Sequence, residues 1–225
     1  LSIRWVLLAS QAIGKSKGYN LLMSEDVLAA IDSIKKLGIK VKIQKNYCEI
    51  VGNGINGFKY KKNLIIDAKN SGTLSRLILG LLIKSPKKIK IIGDKSLSKR
   101  DFSRVTKPLE KFGVKFSYKI KNKLPLTIVG TQSAKGIKYL ENKGSAQCKS
   151  SVMLAALNAS GTTSIKAKKS RNHSELLFQY LKIPIKVRKT KKFDFIDIQK
   201  PKKINAFNYQ IPGDISSSAF FVVLT

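Results

Sequence analysis

Apolar and polar positions along the chain fall into three rounds of one pattern. Each round has a helix that is apolar over its length, a short alternating strand, a loop carrying Ser, and a second, amphipathic helix. The first round starts at Leu7-Leu-Ala-Ser and continues through Ser24-Glu-Asp-Val-Leu-Ala-Ala-Ile-Asp-Ser-Ile-Lys-Lys-Leu-Gly38-Ile-Lys-Val. The second joins Leu79-Gly-Leu-Leu, Gly93-Asp-Lys-Ser and Val105-Thr-Lys-Pro-Leu-Glu-Lys-Phe-Gly113-Val-Lys-Phe. The third joins Leu154-Ala-Ala-Leu to Ser170-Arg-Asn-His-Ser-Glu-Leu-Leu-Phe-Gln-Tyr-Leu-Lys-Ile-Pro-Ile-Lys-Val187. The amphipathic helix stops at Gly38 and Gly113, 75 residues apart, and at Leu181-Lys-Ile in the third round. A glycine C-cap repeated at that distance fits duplication of a unit.

Strand-like runs Tyr47-Cys-Glu-Ile-Val51, Leu124-Pro-Leu-Thr-Ile-Val129 and Phe193-Asp-Phe-Ile-Asp-Ile198 separate the rounds. Each unit therefore reads as β-α-β-α-β-β. Three of them packing their sheets around shared apolar helices predict one α/β domain with pseudo-threefold character. The expected boundaries are a first globular domain at 1–211, with repeats at about 1–66, 67–141 and 142–211. Residues 212–225 carry Pro-Gly punctuation and then a Ser-rich helix start, and read as a crossover into a second domain that is mostly missing. Asp214 reads as a helix cap or hinge residue. The chain begins at Leu1 and stops in Ala219-Phe-Phe-Val-Val-Leu-Thr225, so both ends read as cut and a fragment is expected.

With 225 residues, 43% of them apolar, the chain is long enough for a proper core, and no apolar run approaches the ~20 residues of a membrane span. A secretory reading of Arg4-Trp-Val-Leu-Leu-Ala-Ser-Gln-Ala is set aside, because a charged, Lys-rich helix pattern continues unbroken after it. Cys48 and Cys148 lie far apart without metal spacing, which suits a reducing, cytoplasmic setting. The net charge of +31 invites a nucleic-acid reading. Lysines are instead spread along the whole chain, and no zinc-finger, RNP-type or basic-zipper pattern accompanies them. Solvent faces filled with Lys account for the charge, and a nucleic-acid partner is not expected.

Arg is the scarcer cation: of 44 basic residues only Arg4, Arg76, Arg100, Arg104, Arg171 and Arg188 are Arg. A chain that uses Lys for mere charge keeps Arg where a bidentate fork is needed. Four of the six stand beside hydroxyl or amide residues: Ser2-Ile-Arg4, Thr73-Leu-Ser-Arg76, Ser98-Lys-Arg100 and Ser170-Arg-Asn172. Three similar helix starts, at Ser2-Ile-Arg4, Asn70-Ser-Gly-Thr-Leu-Ser-Arg76 and Ser145-Ala-Gln-Cys-Lys149, promise outward-facing N–H groups at related positions. Converging, they would hold a small, multiply anionic ligand. The plainer readings are a turn for Gly72, N-caps for Ser145 and Ser170, capping or surface roles for Arg171 and His173, and either electrostatics or capping for Arg76.

The motifs Ser2-x-Arg4, Leu21-Leu-x-Ser-Glu-Asp26, Asn70-x-Gly-Thr-x-x-Arg76, Gly93-Asp-x-Ser-x-x-x-Arg100, Ser145-Ala-Gln-x-Lys-Ser150, Ser170-Arg-Asn-His-x-Glu175 and Pro212-Gly-Asp-x-Ser-Ser217 occur in that order over the whole chain. In this the chain resembles the first half of the 5-enolpyruvylshikimate-3-phosphate synthase family. The resemblance implies an inside-out α/β barrel of the enolpyruvyl-transferase type, a monomeric full-length enzyme and no cofactor. It implies carboxyvinyl transfer from phosphoenolpyruvate to the 5-hydroxyl of shikimate 3-phosphate, on the route to aromatic amino acids. Ser2, Arg4, Ser145, Ala146, Gln147 and Ser170 match shikimate-3-phosphate positions; Gly72, Arg100 and Gln147 match phosphoenolpyruvate positions.

No catalytic or metal-binding residue is expected within the chain. The family's leading Lys-Ser would lie before Leu1, and its catalytic Asp and Lys-Glu-x-x-x-Arg segment belong to the second domain, the missing partner. Ile3 stands where a polar residue is common, and Asp101 where Pro is usual, which touches loop rigidity and local charge. The sister enzyme acting on UDP-N-acetylglucosamine fits less well, since the loop Asp94-Lys-Ser-Leu-Ser-Lys99 lacks its Cys. A basic nucleic-acid module on a related fold is the alternative from another class.

Overall fold

The computed structural model describes residues 1–213. Pro212 and Gly213 therefore close the described chain, and the Asp214 cap and the rest of the 212–225 crossover lie outside it.

Three helices are buried over nearly their whole circumference, polar residues included: α1 (Ser2–Ser10), α3 (Gly72–Leu81) and α6 (Ala146–Ala156). A helix with no wet side has to be enclosed. Trp5, Leu7 and Leu8 of α1, Leu74, Leu77 and Ile78 of α3, and Val152 and Met153 of α6 are all buried in one core. The other helices, α2 (Glu25–Lys36), the short α4 (Lys95–Lys99), α5 (Ser103–Glu110) and α7 (His173–Tyr180), keep polar faces.

Three four-stranded sheets surround these helices. The second contains β4 (Leu64–Asp67), β5 (Ile89–Ile92), β6 (Lys115–Tyr118) and β7 (Leu126–Val129), in the order β4-β5-β7-β6. The third contains β8 (Lys138–Glu141), β9 (Thr162–Lys168), β10 (Ile185–Lys189) and β11 (Phe193–Gln199), in the order β8-β9-β11-β10. In each, the first pair is parallel and the others antiparallel. Alternation along β9 and β11 puts Thr163, Ile165, Ala167, Asp194, Ile196 and Ile198 inward, leaving their neighbours toward water. Helices inside and sheets outside make the inside-out α/β arrangement.

The first sheet completes the pattern in an unexpected way. It holds β1 (Ile13–Tyr19), β2 (Lys40–Ile43) and β3 (Tyr47–Asn53), but its parallel strand is β12 (Asn208–Gln210), paired with β1 from Lys17↔Asn208 to Tyr19↔Gln210. The β-α-β-α-β-β order thus holds for the second and third units once β4 and β8, which lie at or just before the expected boundaries at 67 and 142, are counted as their leading strands, while the first takes its leading strand from the far end of the chain. Phe207 seats this strand, packing edge-on against Trp5 and Tyr180 with ring centroids 6.3 Å away in each case.

Gly38 and Gly113 take φ of +85° and +95° where the amphipathic helices stop, as a glycine C′ requires. Lys182 does the same job in the third unit at φ +54°, a conformation L-residues adopt at a cost. That is why the third repeat shows no glycine in sequence.

Between α3 and α6 the contact advances in one direction, from Thr73 and Gln147 through Arg76 and Ser151 to Gly80 and Ala155. The two helices are therefore parallel, with their N-termini at the same end. Gly80 sets their separation: a Cβ there would lie 2.1 Å from the Ser151 carbonyl oxygen.

Candidate active site

The first turns of α3 and α6 meet, and Arg4 at the start of α1 reaches Ser150 just beyond them on α6. Ser71 caps α3, its hydroxyl accepting from Leu74 N–H at 3.2 Å, and Ser145 caps α6, accepting from Cys148 N–H at 3.3 Å. The α1 start differs from the other two: Leu1 is the N-cap, and the Ser2 hydroxyl, inside the helix, accepts from Leu22 N–H at 3.2 Å. Parallel helix starts put several positive dipole ends and free N–H groups at one place, a setting for anions.

Gly72 is the first residue of α3 rather than part of a turn. Its missing side chain is filled by two guanidiniums: a Cβ would lie 2.7 Å from Arg76 Nη1 and 2.8 Å from Arg100 Nη1. Arg76 Nη1 donates to Gly72 O at 3.1 Å and to Gln147 Oε1 at 3.0 Å, and its plane lies 5.3 Å from the Phe102 ring centroid. Gln147 in turn donates to Thr73 Oγ1 at 2.9 Å. Burial, reinforced by the charges of Arg100 and Arg104, pulls the Arg76 pKa below its ordinary value, with Cys148 opposing. Like charges brought this close favour an anion between them. Arg76, left open between electrostatics and capping in the sequence, is thus the link between Gly72 and Gln147.

Arg100 ends α4 and is aimed by a short relay. Its Nη2 donates to Asn70 Oδ1 at 3.4 Å, Asn70 donates to Asp94 Oδ2 at 2.6 Å, and Asp94 caps α4 through Leu97 N–H at 2.7 Å. Asp101, the departure from the expected Pro, accepts from Ser103 N–H at 2.6 Å and from Ser103 Oγ–H at 2.9 Å. Those bonds hold its carboxyl below the usual range despite slight desolvation. The carboxylate stiffens the start of α5 in place of the proline ring. Ile3, the other departure, is buried in the core.

Arg4 reaches across from α1. It donates Nε–H to Ser174 Oγ at 3.0 Å and Nη2–H to Ser150 Oγ at 3.3 Å, and the two hydroxyls lie 2.6 Å apart. Burial lowers its pKa, Glu175 works the other way, and Arg171 adds to the lowering. Five of the chain's six Arg therefore gather at the helix starts; Arg188 alone lies on the outer face of the third sheet, 4.2 Å over the Phe195 ring.

The loop into α6 is held by Glu141, a buried carboxylate accepting from Ser145 N–H at 2.9 Å and Lys143 N–H at 3.3 Å, with Arg104 Nη2 at 3.4 Å. This sets Ser145, Ala146 and Gln147 in order at the helix start. Ser170 does not cap α7; Asn172 stands at that position, and α7 begins at His173. The Ser170 hydroxyl is shut off from solvent and has no hydrogen-bond partner among the described residues. Its loop neighbours the other one, since a Cβ on Gly144 would lie 3.3 Å from the Lys169 carbonyl oxygen.

Sequence reasoning passed over Thr73, Ser150, Ser174 and Glu141 as site-builders. Thr73 and Ser150 are named positions of motifs already singled out, so the signal there was a hydroxyl at motif spacing; Ser174 is an unspecified position inside a third motif, and nothing in the sequence marks Glu141. A separate cleft of about 530 Å³ lies on the outer face of the third sheet, lined by Lys138, Lys166, Lys186, Arg188 and Phe195. Its cations stand on the solvent side of the strands and stack on Phe193 and Phe195, while the convergent arginines, amide and helix starts are elsewhere. The chemistry favours the helix starts over the outer hollow.

The sequence matches the EPSP synthase (3-phosphoshikimate 1-carboxyvinyltransferase) family over residues 1–225. The chain belongs to this family. It is 37% identical over 224 residues to the 3-phosphoshikimate 1-carboxyvinyltransferase of Bacillus subtilis (strain 168), covering 99% of this chain and 51% of the relative. A second relative of the same description, from Streptococcus pyogenes serotype M2, is 36% identical over 225 residues with the same coverage. Among solved structures, EPSP synthase from Acinetobacter baumannii superposes with a TM-score of 0.89 at 32% identity, over 99% of this chain and 49% of that one. This EPSP synthase family member thus spans about half the length of the curated relatives it matches. Among its described residues, no helix is long and apolar enough to cross a membrane.

Proposed function

We propose that this chain provides one half of an enolpyruvyl-transferase site, which binds shikimate 3-phosphate and phosphoenolpyruvate for carboxyvinyl transfer in the cytoplasm. The supporting observation is Gly72 beneath the Arg76 and Arg100 guanidiniums, with Gln147 bound to Arg76 across the helix starts. An anionic phosphoryl or carboxyl group suits that spot because bidentate arginine, a helix start and a bare backbone meet there.

In the proposed division, Arg100, Gly72 and Gln147 hold phosphoenolpyruvate. Ser2, Arg4, Ser145, Ala146, Gln147 and Ser170 hold shikimate 3-phosphate, Gln147 lying between the two ligands. In the reaction, the shikimate 5-hydroxyl gives up its proton to a base and attacks C2 of phosphoenolpyruvate, whose methylene carbon gains a proton from an acid. The tetrahedral adduct then returns a proton from the new methyl group and expels phosphate, restoring the double bond. Both ligands are anionic, so the arginine cluster offsets the repulsion between them. The acid and base for these proton transfers are assigned, in this reading, to the second domain. A second domain of the full-length, monomeric enzyme completes the site on closure.

Titration calorimetry of the chain with each ligand tests this reading. Saturable binding of shikimate 3-phosphate, with no phosphate released when phosphoenolpyruvate is added, is the expected result. Turnover by the chain alone contradicts the half-site reading. Tight binding of an oligonucleotide over a salt series, with none of shikimate 3-phosphate, favours the nucleic-acid alternative instead.

A further inference from the structure

Behind Arg4 lies an ion pair sealed from water. Lys149 of α6 and Glu175 of α7 meet at 2.5 Å, with side chains 0% and 5% exposed. They are direct sequence neighbours of Ser150 and Ser174, the two hydroxyls that receive Arg4. The contact lacks hydrogen-bond alignment, and Glu175 Oε2 has no hydrogen-bond partner among the described residues. A buried pair so incompletely satisfied is a poor stabiliser; apolar side chains of similar volume serve stability as well or better. Its geometry serves position instead. It fixes α6 against α7 at the level where Ser150 and Ser174 come within 2.6 Å of each other and form the two-point seat for Arg4. The Glu175 charge also acts on Arg4 directly, against the effect of burial.

We propose that Lys149 and Glu175 are positioning residues that aim Arg4 at its anionic ligand through Ser150 and Ser174. The pair touches no ligand. For the ligand's identity, shikimate 3-phosphate, the inference rests on the function proposed above. Phosphoenolpyruvate, held through Arg100 and Gly72 on α3 and α4, does not depend on this seat.

The test compares the 225-residue chain with Lys149→Met/Glu175→Leu, which removes both charges together and leaves neither buried alone. Three readouts are taken: melting temperature, the Arg4 Nε–Hε NMR signal assigned against Arg4→Lys, and the two ligand affinities. With six Arg in the chain that spectral region is resolvable. The expected outcome is a folded variant in which the Arg4 signal moves and loses its protection from exchange. The shikimate-3-phosphate Kd rises about tenfold or more, as small misplacements of a binding group do, while the phosphoenolpyruvate Kd stays within about twofold. A folded variant with the parent's Arg4 signal and affinities overturns the proposal. Should the double variant not fold, Glu175→Asp withdraws the carboxylate by one methylene with its charge kept, and a shifted Arg4 signal is again expected; an unshifted one, or failure of both variants to fold, assigns the pair to stability and overturns the idea. If the parent itself binds no shikimate 3-phosphate, the ligand reading fails, and the Arg4 signal alone decides the positioning claim.

Discussion

At the scale of single residues, Gly72 shows what the site demands of the backbone. Two guanidiniums occupy the space a methyl group would take, 2.7 and 2.8 Å from the position of its Cβ. Gly72→Ala therefore has to push Arg76 and Arg100 outward, while helix propensity alone would otherwise favour Ala. We expect phosphoenolpyruvate affinity to fall about tenfold with shikimate-3-phosphate affinity nearly unchanged, because Arg4 is seated independently. Equal losses for both ligands, measured by calorimetry, would contradict the separation of the two half-pockets. The residue scale is also where sequence reading was least complete. Scarcity marked Arg4 and Arg100, and the structure places both at the helix starts. Lys149 stands at a named motif position, but nothing in the motif says that it is buried, and Glu141 looks like any other acid. What distinguishes them is the absence of water around them, and no short motif encodes that.

Secondary-structure elements follow the periodicity closely where a single face decides the pattern. The enclosed helices α1, α3 and α6 are buried on nearly all sides, and α2, α5 and α7 alternate as surface helices do. The turn chemistry was equally legible at Gly38 and Gly113. Lys182 stands at the equivalent helix stop with a side chain that resists φ +54°. Lys182→Gly is expected to relieve that strain and raise stability by about 0.5–1 kcal/mol after the added chain entropy of glycine is subtracted. A denaturant titration with an unchanged slope reads this directly; a loss of stability would mean the Lys182 side chain carries packing that outweighs the strain. Gly80→Ala should do the reverse. With a Cβ 2.1 Å from the Ser151 carbonyl oxygen, α3 and α6 must separate, at a cost of at least about 3 kcal/mol. Wild-type stability for Gly80→Ala would refute the close parallel packing that brings Gln147 to Arg76. The strand β12 was not legible for a different reason. A three-residue strand carries almost no periodicity, and its partner β1 lies some 190 positions earlier, so only tertiary closure, through Phe207 between Trp5 and Tyr180, defines it.

Over the whole molecule, charge alone is a poor guide to the site. A net charge of +31 surrounds the protein with positive potential, and an outer cleft with four lysines and Arg188 would attract phosphate through simple attraction. Such binding weakens steeply with salt, whereas a seat of directed hydrogen bonds between partly buried groups is screened less. The pseudo-threefold plan explains why directed groups gather as they do among the described residues: the N-termini of the three enclosed helices share one end of the core, and five of six arginines follow them there. The account turns on where the ligand sits. A crystal structure of the chain soaked with shikimate 3-phosphate at about 0.15 M salt measures that position directly. Ligand density is predicted beside Arg4 and along the Ser145–Gln147 helix start, with Ser170 nearby and the Gly72–Arg100 pocket left for phosphoenolpyruvate. Density confined to the Lys138, Lys166 and Arg188 cleft, with the helix starts vacant, would contradict it.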